Sequence, residues 1–280
     1  MTLPGWLRPV IYFILIVLVL SLAWQGYKLL AAPGGVYLWG TVPVKAEENK
    51  PAGTLCASMG LCRVPLPIRA DDRSMPHLKD IFGTLFEPPR RGGEEILLTI
   101  LLRAALFTLQ EAVIGFILGG LLGFGLGVIF AHSNLLERGL LPYVVASQTV
   151  PLLAIAPMVV IWLGGNWFSV AVIAAYLTFF PVTINTLRGL RSPQPTALEL
   201  MRSYAATPWE VLWKLRVPAA LPYIFTALKV SATASVVGAI IGELPSGIAS
   251  GLGRAILTFN QYYATGPEKL WATIVIASLT

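Results

Sequence analysis

The longest uncharged stretch of the chain constrains its fold most strongly. Residues 139–187 form 49 consecutive positions without Asp, Glu, Lys or Arg. A bilayer core about 30 Å thick needs roughly 20 apolar residues per helix, so this stretch is long enough for two crossings. A Gly-Gly-Asn sequence at 164–166 favours a turn between them. We therefore predict one span at about 140–163, which contains three prolines, and another at about 168–187.

The overall composition excludes most other classes of protein. The chain has 280 residues, of which 56% are hydrophobic and 12% charged, and its mean hydropathy is +0.73. Soluble domains carry about 25% charged residues, and disordered chains are poor in apolar ones. The sequence therefore indicates an all-α, polytopic membrane protein. The net charge of +6 accompanies no long basic run, so nucleic-acid binding is not expected.

Four further segments complete a prediction of about six membrane helices. The first, around residues 9–27, is either a retained anchor or a cleaved signal peptide, and we favour the anchor because the uncharged run is long. The last stops at Thr280 after too few residues to cross a bilayer, so we expect an incomplete helix in a truncated chain. An amphipathic lead-in at 94–110 precedes the second span. The spans beyond the central pair are predicted at about 10–22, 112–131, 220–241 and 270–280.

Charge distribution suggests the orientation of these spans. Residues 188–216 carry five basic side chains, which places this loop in the cytoplasm by the positive-inside rule. Residues 32–93 then form an external loop after the first span. Its Cys56 and Cys62 are either a disulfide or two free thiols, and their isolated spacing does not fit a metal site. Apolar residues at helical spacing in 76–86 predict a short helix, either interfacial or a shelf for a partner.

The cytoplasmic loop contains two helix-start patterns in tandem. Thr196 and Glu199 have the spacing of a capping box, and so have Thr207 and Glu210, with a proline after Thr207. We expect two short amphipathic helices with a sharp turn at Ala205. Such helices either lie on lipid headgroups or dock in a groove of a soluble partner.

This loop resembles the EAA signature of the membrane subunits of bacterial ABC importers. The family pattern is Glu-Ala-Ala, three residues, Gly, nine residues, Ile, one residue, Leu-Pro. Here Glu199, Ala205 and Leu215 take the Glu, Gly and Ile positions, and Val217-Pro218 takes the Leu-Pro position. Leu and Met replace the two alanines. The missing glycine disfavours a left-handed residue, so the capping boxes are expected to enforce the bend.

The resemblance covers about residues 94–280 and points to the nitrate, sulfonate and taurine branch. That branch includes importers of vitamins or their precursors, such as riboflavin and thiamine pyrimidine. Residues 243–271 resemble this vitamin group more than the rest of the branch. It implies a type I importer fold in the bacterial inner membrane, with an N-terminal anchor at 1–31, an external loop at 32–93, and a permease core at 94–280 that contains the EAA coupling loop at 188–218.

The resemblance also implies partners for the chain. These are a dimer of cytoplasmic ATPases that uses the ATP, a second permease copy forming a homodimer, an extracytoplasmic substrate-binding protein, and membrane lipid. The chain has no phosphate-binding loop, so no cofactor, metal or catalytic residue is assigned to it. The residues expected to contact the ATPase are Glu199, Arg202, Ala205, Trp209, Lys214 and Pro218.

Polar side chains within the spans are candidates for the translocation path, because polar groups at membrane depth usually face a cavity or a partner. An alternative for Lys229 is snorkelling to the interface or bonding within the bundle, and for Ser and Thr it is bonding to the backbone. The path candidates are Gln148, Thr149, Asn185, Lys229, Thr233 and Glu243. Glycines four residues apart at 115, 119, 123 and 127 indicate either a sliding surface or tight packing within one subunit.

Two other functions are weighed against an importer subunit. A secondary transporter would work without an ATPase, but it commonly shows internal repeats, which we do not find here. A membrane-embedded enzyme would have to use His77 or His132, which lie on opposite sides of the predicted membrane, and the common hydrolase motifs do not occur. The solute does not follow from these residues.

Overall fold

The computed structural model describes residues 7–30, 76–89 and 93–280, and this part of the chain is helical without strands. Cys56 and Cys62 and most of the predicted external loop lie outside the described residues. Two compact units are distinguished, residues 1–98 with 259–275, and residues 99–258 with 276–280. The helices are α1 (Leu7–Leu30), α2 (Leu78–Thr84), α3 (Leu97–His132), α4 (Asn134–Ser147), α5 (Leu152–Leu163), α6 (Trp167–Leu190), α7 (Pro195–Ser203), α8 (Pro208–Ser246), α9 (Leu252–Gln261) and α10 (Pro267–Leu279).

Three of the described helices are long and apolar enough to cross a membrane, namely α3, α6 and α8. The amphipathic segment predicted at 94–110 forms the first part of α3. It is therefore continuous with the predicted second span and is not a separate helix. Helix α1 runs through the predicted first span, with an apolar segment at Ile14–Gly26. The structure thus confirms an all-helical membrane protein with three or four apolar candidate spans in the described residues.

The predicted span at 140–163 corresponds to two helices, α4 and α5, which together form one candidate span and are bent by 100° at the break between them. Pro151 is the N-cap of α5, and its missing N–H removes no helical hydrogen bond at that position. Pro142 and Pro157 lie inside their helices without ending them.

Helix α6 packs against both α3 and α8 in the larger unit, and α3 also contacts α8 directly through Thr108 and Glu243. The α3 glycines at 115, 119, 123 and 127 face α6, and a Cβ atom on each would overlap α6 atoms. A Cβ on Gly238 of α8 would likewise come within 2.9 Å of Ala174 Cα. The glycine stripe therefore serves tight packing within one chain, as the second of the two interpretations holds.

The smaller unit contains α1, α2 and most of α10. Trp24 Nε1 donates a hydrogen bond to the Pro76 carbonyl at 3.2 Å, and its ring meets that of Trp271 edge-on at 5.0 Å. Helix α2 confirms the helical spacing predicted for 76–86, with Ile81 buried and Phe82 half exposed. Lys269 Nζ donates to the Pro89 carbonyl at 2.9 Å.

Substitution of Gly119 tests the packing of α3 against α6. In Gly119→Ala the added Cβ would overlap the Ala175 carbonyl oxygen and lie 2.7 Å from Thr178 Cβ, so the helices must separate. We expect thermal unfolding in detergent to begin several degrees lower. The control is Gly120→Ala, where nothing lies within 4 Å and higher helix propensity should leave stability equal or better. Equal effects of the two variants would contradict this packing.

Candidate functional site

The first helix of the loop at residues 188–218 begins earlier than its sequence pattern suggests. Helix α7 has Gln194 as its N-cap and Pro195 at its first position, and no side chain caps it. The predicted capping box of Thr196 and Glu199 is therefore wrong. The proline fixes a helical φ one residue before Thr196, which leaves that threonine inside the first turn.

Helix α7 ends in a left-handed turn at Ala205, which takes the place of the family's glycine. Ala205 has φ +51°. Its N–H donates to the Arg202 carbonyl at 2.9 Å, and the Ala206 N–H donates to the Met201 carbonyl at 3.0 Å. These two bonds form a Schellman motif. The expectation that the missing glycine removes a left-handed residue here is therefore wrong, since two backbone hydrogen bonds hold alanine in it.

The second predicted capping box is present at the start of α8. The Glu210 N–H donates to Thr207 Oγ1 at 3.3 Å, and the Thr207 N–H donates to Glu210 Oε2 at 3.0 Å. Lys214 Nζ donates to Glu210 Oε1 at 2.8 Å. The Lys214 hydrogen bond, followed by those from Thr207, lowers the pKa of Glu210 to about 2. Glu210 lies in the charged first turn of α8, ahead of its apolar part.

A buried leucine anchors this loop to the spans. Residues Val211–Arg216 form a π-helical segment within α8, and Leu212 is the buried residue of that segment. Leu212 packs with Leu190 at the end of α6 and with Ala220 on α8. Val128 and Ala131 of α3 complete the cluster. The loop is therefore joined to three spans at one point.

The outward side of the loop carries every residue expected at the ATPase contact. Glu199, Arg202, Ala205, Trp209, Lys214 and Pro218 are all exposed. Sequence reasoning missed three exposed apolar side chains beside them, namely Leu200, Tyr204 and Trp213. Their large apolar side chains among charged residues were the signal for a partner surface. Trp213 stacks edge-on against Trp209 with ring centroids 5.5 Å apart.

The start of the loop is also tied to α4. The Arg191 guanidinium donates to both carboxylate oxygens of Glu137, with Nη1 to Oε1 at 2.7 Å. Such a bidentate pair fixes orientation as well as distance. A cavity of about 700 Å³ opens beside it, lined by Arg191 and residues of α4.

The path candidates divide into two groups in the structure. Three of them bond a nearby backbone carbonyl, which for the two threonines is the alternative interpretation: Thr149 to Ala146, Asn185 to Pro181, and Thr233 to Val230. Gln148 is exposed at the bend between α4 and α5. Their bonding does not decide whether any of them lines a path.

Lys229 lies on the face of α8 that turns away from α6. It is exposed, together with Thr226 and Thr233 one helical turn on either side, whereas Ala227, Ser231 and Ser235 form the buried face. Lys229 makes no hydrogen bond or ion pair with a residue that the structure describes. These three residues form an exposed polar stripe on an otherwise apolar span.

Glu243 lies inside the larger unit. It is fully buried and accepts hydrogen bonds from Thr108 Oγ1 and the Gly253 N–H. Glu111 is 2% exposed and follows Thr108 by one helical turn of α3, so it lies beside Glu243. Sequence reasoning did not bring these residues together, because they are far apart in the chain and no local pattern links them.

Comparison with known proteins relates this chain to the permease subunits of transport systems. Residues 115–280 match the family described as binding-protein-dependent transport system inner membrane component. The chain is 37% identical to the formylaminopyrimidine transport permease protein of Halalkalibacterium halodurans, over 61% of this chain and 68% of that protein. It is 34% identical to the riboflavin transport system permease protein of Chloroflexus aurantiacus, over 56% of this chain and 58% of that protein. It is 32% identical to the putative aliphatic sulfonates transport permease protein of Bacillus subtilis, over 60% of each.

Replacing Ala205 with glycine tests the left-handed turn. Ala205→Gly should stabilise the turn by about 1 kcal/mol, because an L residue with a Cβ is disfavoured at this φ. Hydrogen exchange of the segment that holds the Ala206 amide should slow accordingly. The control Ala206→Gly should speed exchange, since that position has no positive φ. Faster exchange in Ala205→Gly would contradict the turn.

Proposed function

Because this chain belongs to the family of binding-protein-dependent transport system inner membrane components, we propose that it is the membrane-spanning subunit of an ATP-driven ABC importer for a small solute. The chain is a multi-pass inner-membrane protein. It spans about three fifths to two thirds of the length of the three relatives described above. Its substrate and partners therefore belong to the proposal.

The coupling loop is the observation that carries this proposal. The short helix α7 and the start of α8, joined by a Schellman turn and a capping box, offer aromatic and charged side chains outward. On the inner side Leu212, near the start of α8, packs against the ends of α3 and α6. Because α8 continues from this loop into the membrane, a displacement that a partner applies to the loop passes to the spans.

The proposed partners follow from this arrangement. A cytoplasmic ATPase dimer binds the loops through Glu199, Arg202, Ala205, Trp209, Lys214 and Pro218, and it consumes the ATP. A second copy of the chain completes a type I importer with about six helices per subunit. An extracytoplasmic binding protein delivers the solute.

The exposed polar stripe on α8 supports a path along this face. A lysine facing lipid at the centre of a span costs about 2.5–3.5 kcal/mol. That cost is avoided if Lys229, Thr226 and Thr233 face water or a second copy. We propose that this face of α8 lines the translocation path, with Gln148, Thr149 and Asn185 as further candidates from other segments.

The proposed solute is a vitamin or vitamin precursor, or else a small anion. The relatives are described as permeases for formylaminopyrimidine, riboflavin, aliphatic sulfonates, taurine and nitrate. Calorimetry on the partner binding protein with each of these five solutes would select among them.

A secondary transporter is the alternative function, and assembly distinguishes the two. An importer subunit should retain an ATPase subunit when purified in mild detergent, and the pair should hydrolyse ATP faster when the solute-loaded binding protein is added. Transport driven by an ion gradient without any ATPase would contradict the proposal.

Breaking α7 tests whether the loop passes movement of the ATPase to the membrane spans. Glu199→Pro removes a helical N–H in the middle of α7 and clashes with the preceding turn, at a cost of about 3 kcal/mol. In the reconstituted transporter we expect stimulation of ATP hydrolysis by the loaded binding protein to be lost, with membrane insertion unchanged. The control is Thr196→Pro in the first turn, where proline is tolerated. If solute-stimulated ATP hydrolysis and transport survived in Glu199→Pro, the loop would not be the element that couples the ATPase to the spans.

Removing the charge of Lys229 tests the path. Lys229→Met keeps the length of the side chain and removes the ammonium group. We expect uptake by the assembled transporter to fall by about tenfold, with Lys229→Arg retaining part of it. Val230→Met, on the neighbouring exposed position, is the control for added bulk. Unchanged uptake in Lys229→Met would remove this residue from the path.

A further inference from the structure

Two carboxyl groups meet in the interior of the larger unit. Glu111 projects from α3 and Glu243 from α8, and their side chains are 2% and 0% exposed. The two groups lie close enough to interact with each other. Buried acids within membrane spans are rare and usually have a specific role.

The hydrogen bonds of the two acids differ sharply. Glu243 Oε1 accepts from Thr108 Oγ1 at 2.6 Å, and Glu243 Oε2 accepts from the Gly253 N–H at 2.5 Å. Donors on both oxygens are the pattern that favours an ionised carboxylate. Neither oxygen of Glu111 has a hydrogen-bond partner of standard geometry, although both are buried.

Among the residues that the structure describes, no basic side chain forms an ion pair with either carboxyl. The nearest basic residues on α3 and α9, Arg103 and Arg254, have exposed side chains. Helix α6, which packs on both spans, carries no Asp, Glu, Lys, Arg or His before Arg188. Two adjacent carboxylates in this apolar surrounding cannot both be ionised.

We propose that Glu111 and Glu243 form a proton-binding site, in which Glu111 is the protonated acid and its O–H donates to the Glu243 carboxylate. The pair then holds one proton and one negative charge. The unpartnered oxygens of Glu111 supply the donor, because a protonated carboxyl gains an O–H. This site does not depend on the proposed transport function.

The bound proton would hold α9 against both spans. Thr108 Oγ1 also accepts the Leu252 N–H at 2.9 Å, so the first residues of α9 bond to both sides of the site. A Cβ on Gly251 or Gly253 would overlap the Glu243 side chain. Gly251 also has φ +107°, which suits glycine. Loss of the proton would place two like charges at this junction and loosen it.

Two glutamine variants distinguish the roles of the acids. Glu111→Gln supplies a neutral donor of the same shape, so we expect its melting temperature in detergent to stay within about 1 °C of the wild type at neutral pH. Glu243→Gln turns an amide NH₂ either toward the Gly253 N–H, which can only donate, or toward Thr108, whose hydroxyl would then have to donate to the Ala104 carbonyl at 3.1 Å. Its melting temperature should therefore fall by about 5 °C or more. Equal effects of the two variants would overturn the assignment.

The dependence of stability on pH gives a second test. The contribution of the shared proton is present at low pH and lost as the pH rises past the point where Glu111 releases it. The melting temperature of the wild type should therefore fall at alkaline pH more steeply than that of Glu111→Gln. Parallel curves for the two proteins would contradict the proposal.

Infrared spectroscopy of the full-length protein observes the proton directly and does not require a stable Glu243 variant. The carbonyl stretch of a protonated carboxylic acid should be present at neutral pH in the wild type and in the surface control Glu210→Gln. It should be absent in Glu111→Gln. Absence of this band in the wild type would overturn the proposal, and so would stabilisation of the wild type by sodium chloride but not by choline chloride, which would assign a cation to the site.

Discussion

The close approach of α3 to α6 is the constraint on which the rest of the larger unit depends. In a membrane, apolar side chains gain little by leaving lipid for protein, so contact between backbones must supply the attraction. Glycines at every fourth position of α3 allow this contact along several turns. Helix α8 packs against α6 with Gly238 next to Ala174, and the opposite face of α8 remains exposed. The exposed face is where the polar stripe with Lys229 lies.

The same arrangement determines what the cytoplasmic loop can do. Leu212 is buried among the ends of α3, α6 and α8, whereas the aromatic residues around it face outward. The loop is therefore stiff at its attachment and open at its surface.

Local sequence predicted the features that local interactions determine. The apolar lengths of α6 and α8 and the Thr207–Glu210 capping box follow from composition and from spacing within a few residues. At Ala205 the general preference of alanine for a negative φ was outweighed by two backbone hydrogen bonds. The 100° bend at Pro151 and the meeting of Glu111 with Glu243 depend on tertiary packing, and no short window of sequence contains that information. The site residues of the loop were accessible to sequence because their motif is local, whereas the acid pair was not.

The π-helical segment Val211–Arg216 has a mechanical consequence for this molecule. A π turn holds one residue more than an α turn, and one residue corresponds to about 100° of rotation around a helix axis. Side chains before the segment are therefore turned by roughly that angle relative to their positions in a continuous α-helix. If the extra residue moved along α8, Trp209 would travel around the axis while the apolar part of α8 kept its place. Such a shift would add rotation about the helix axis to any tilt of the loop.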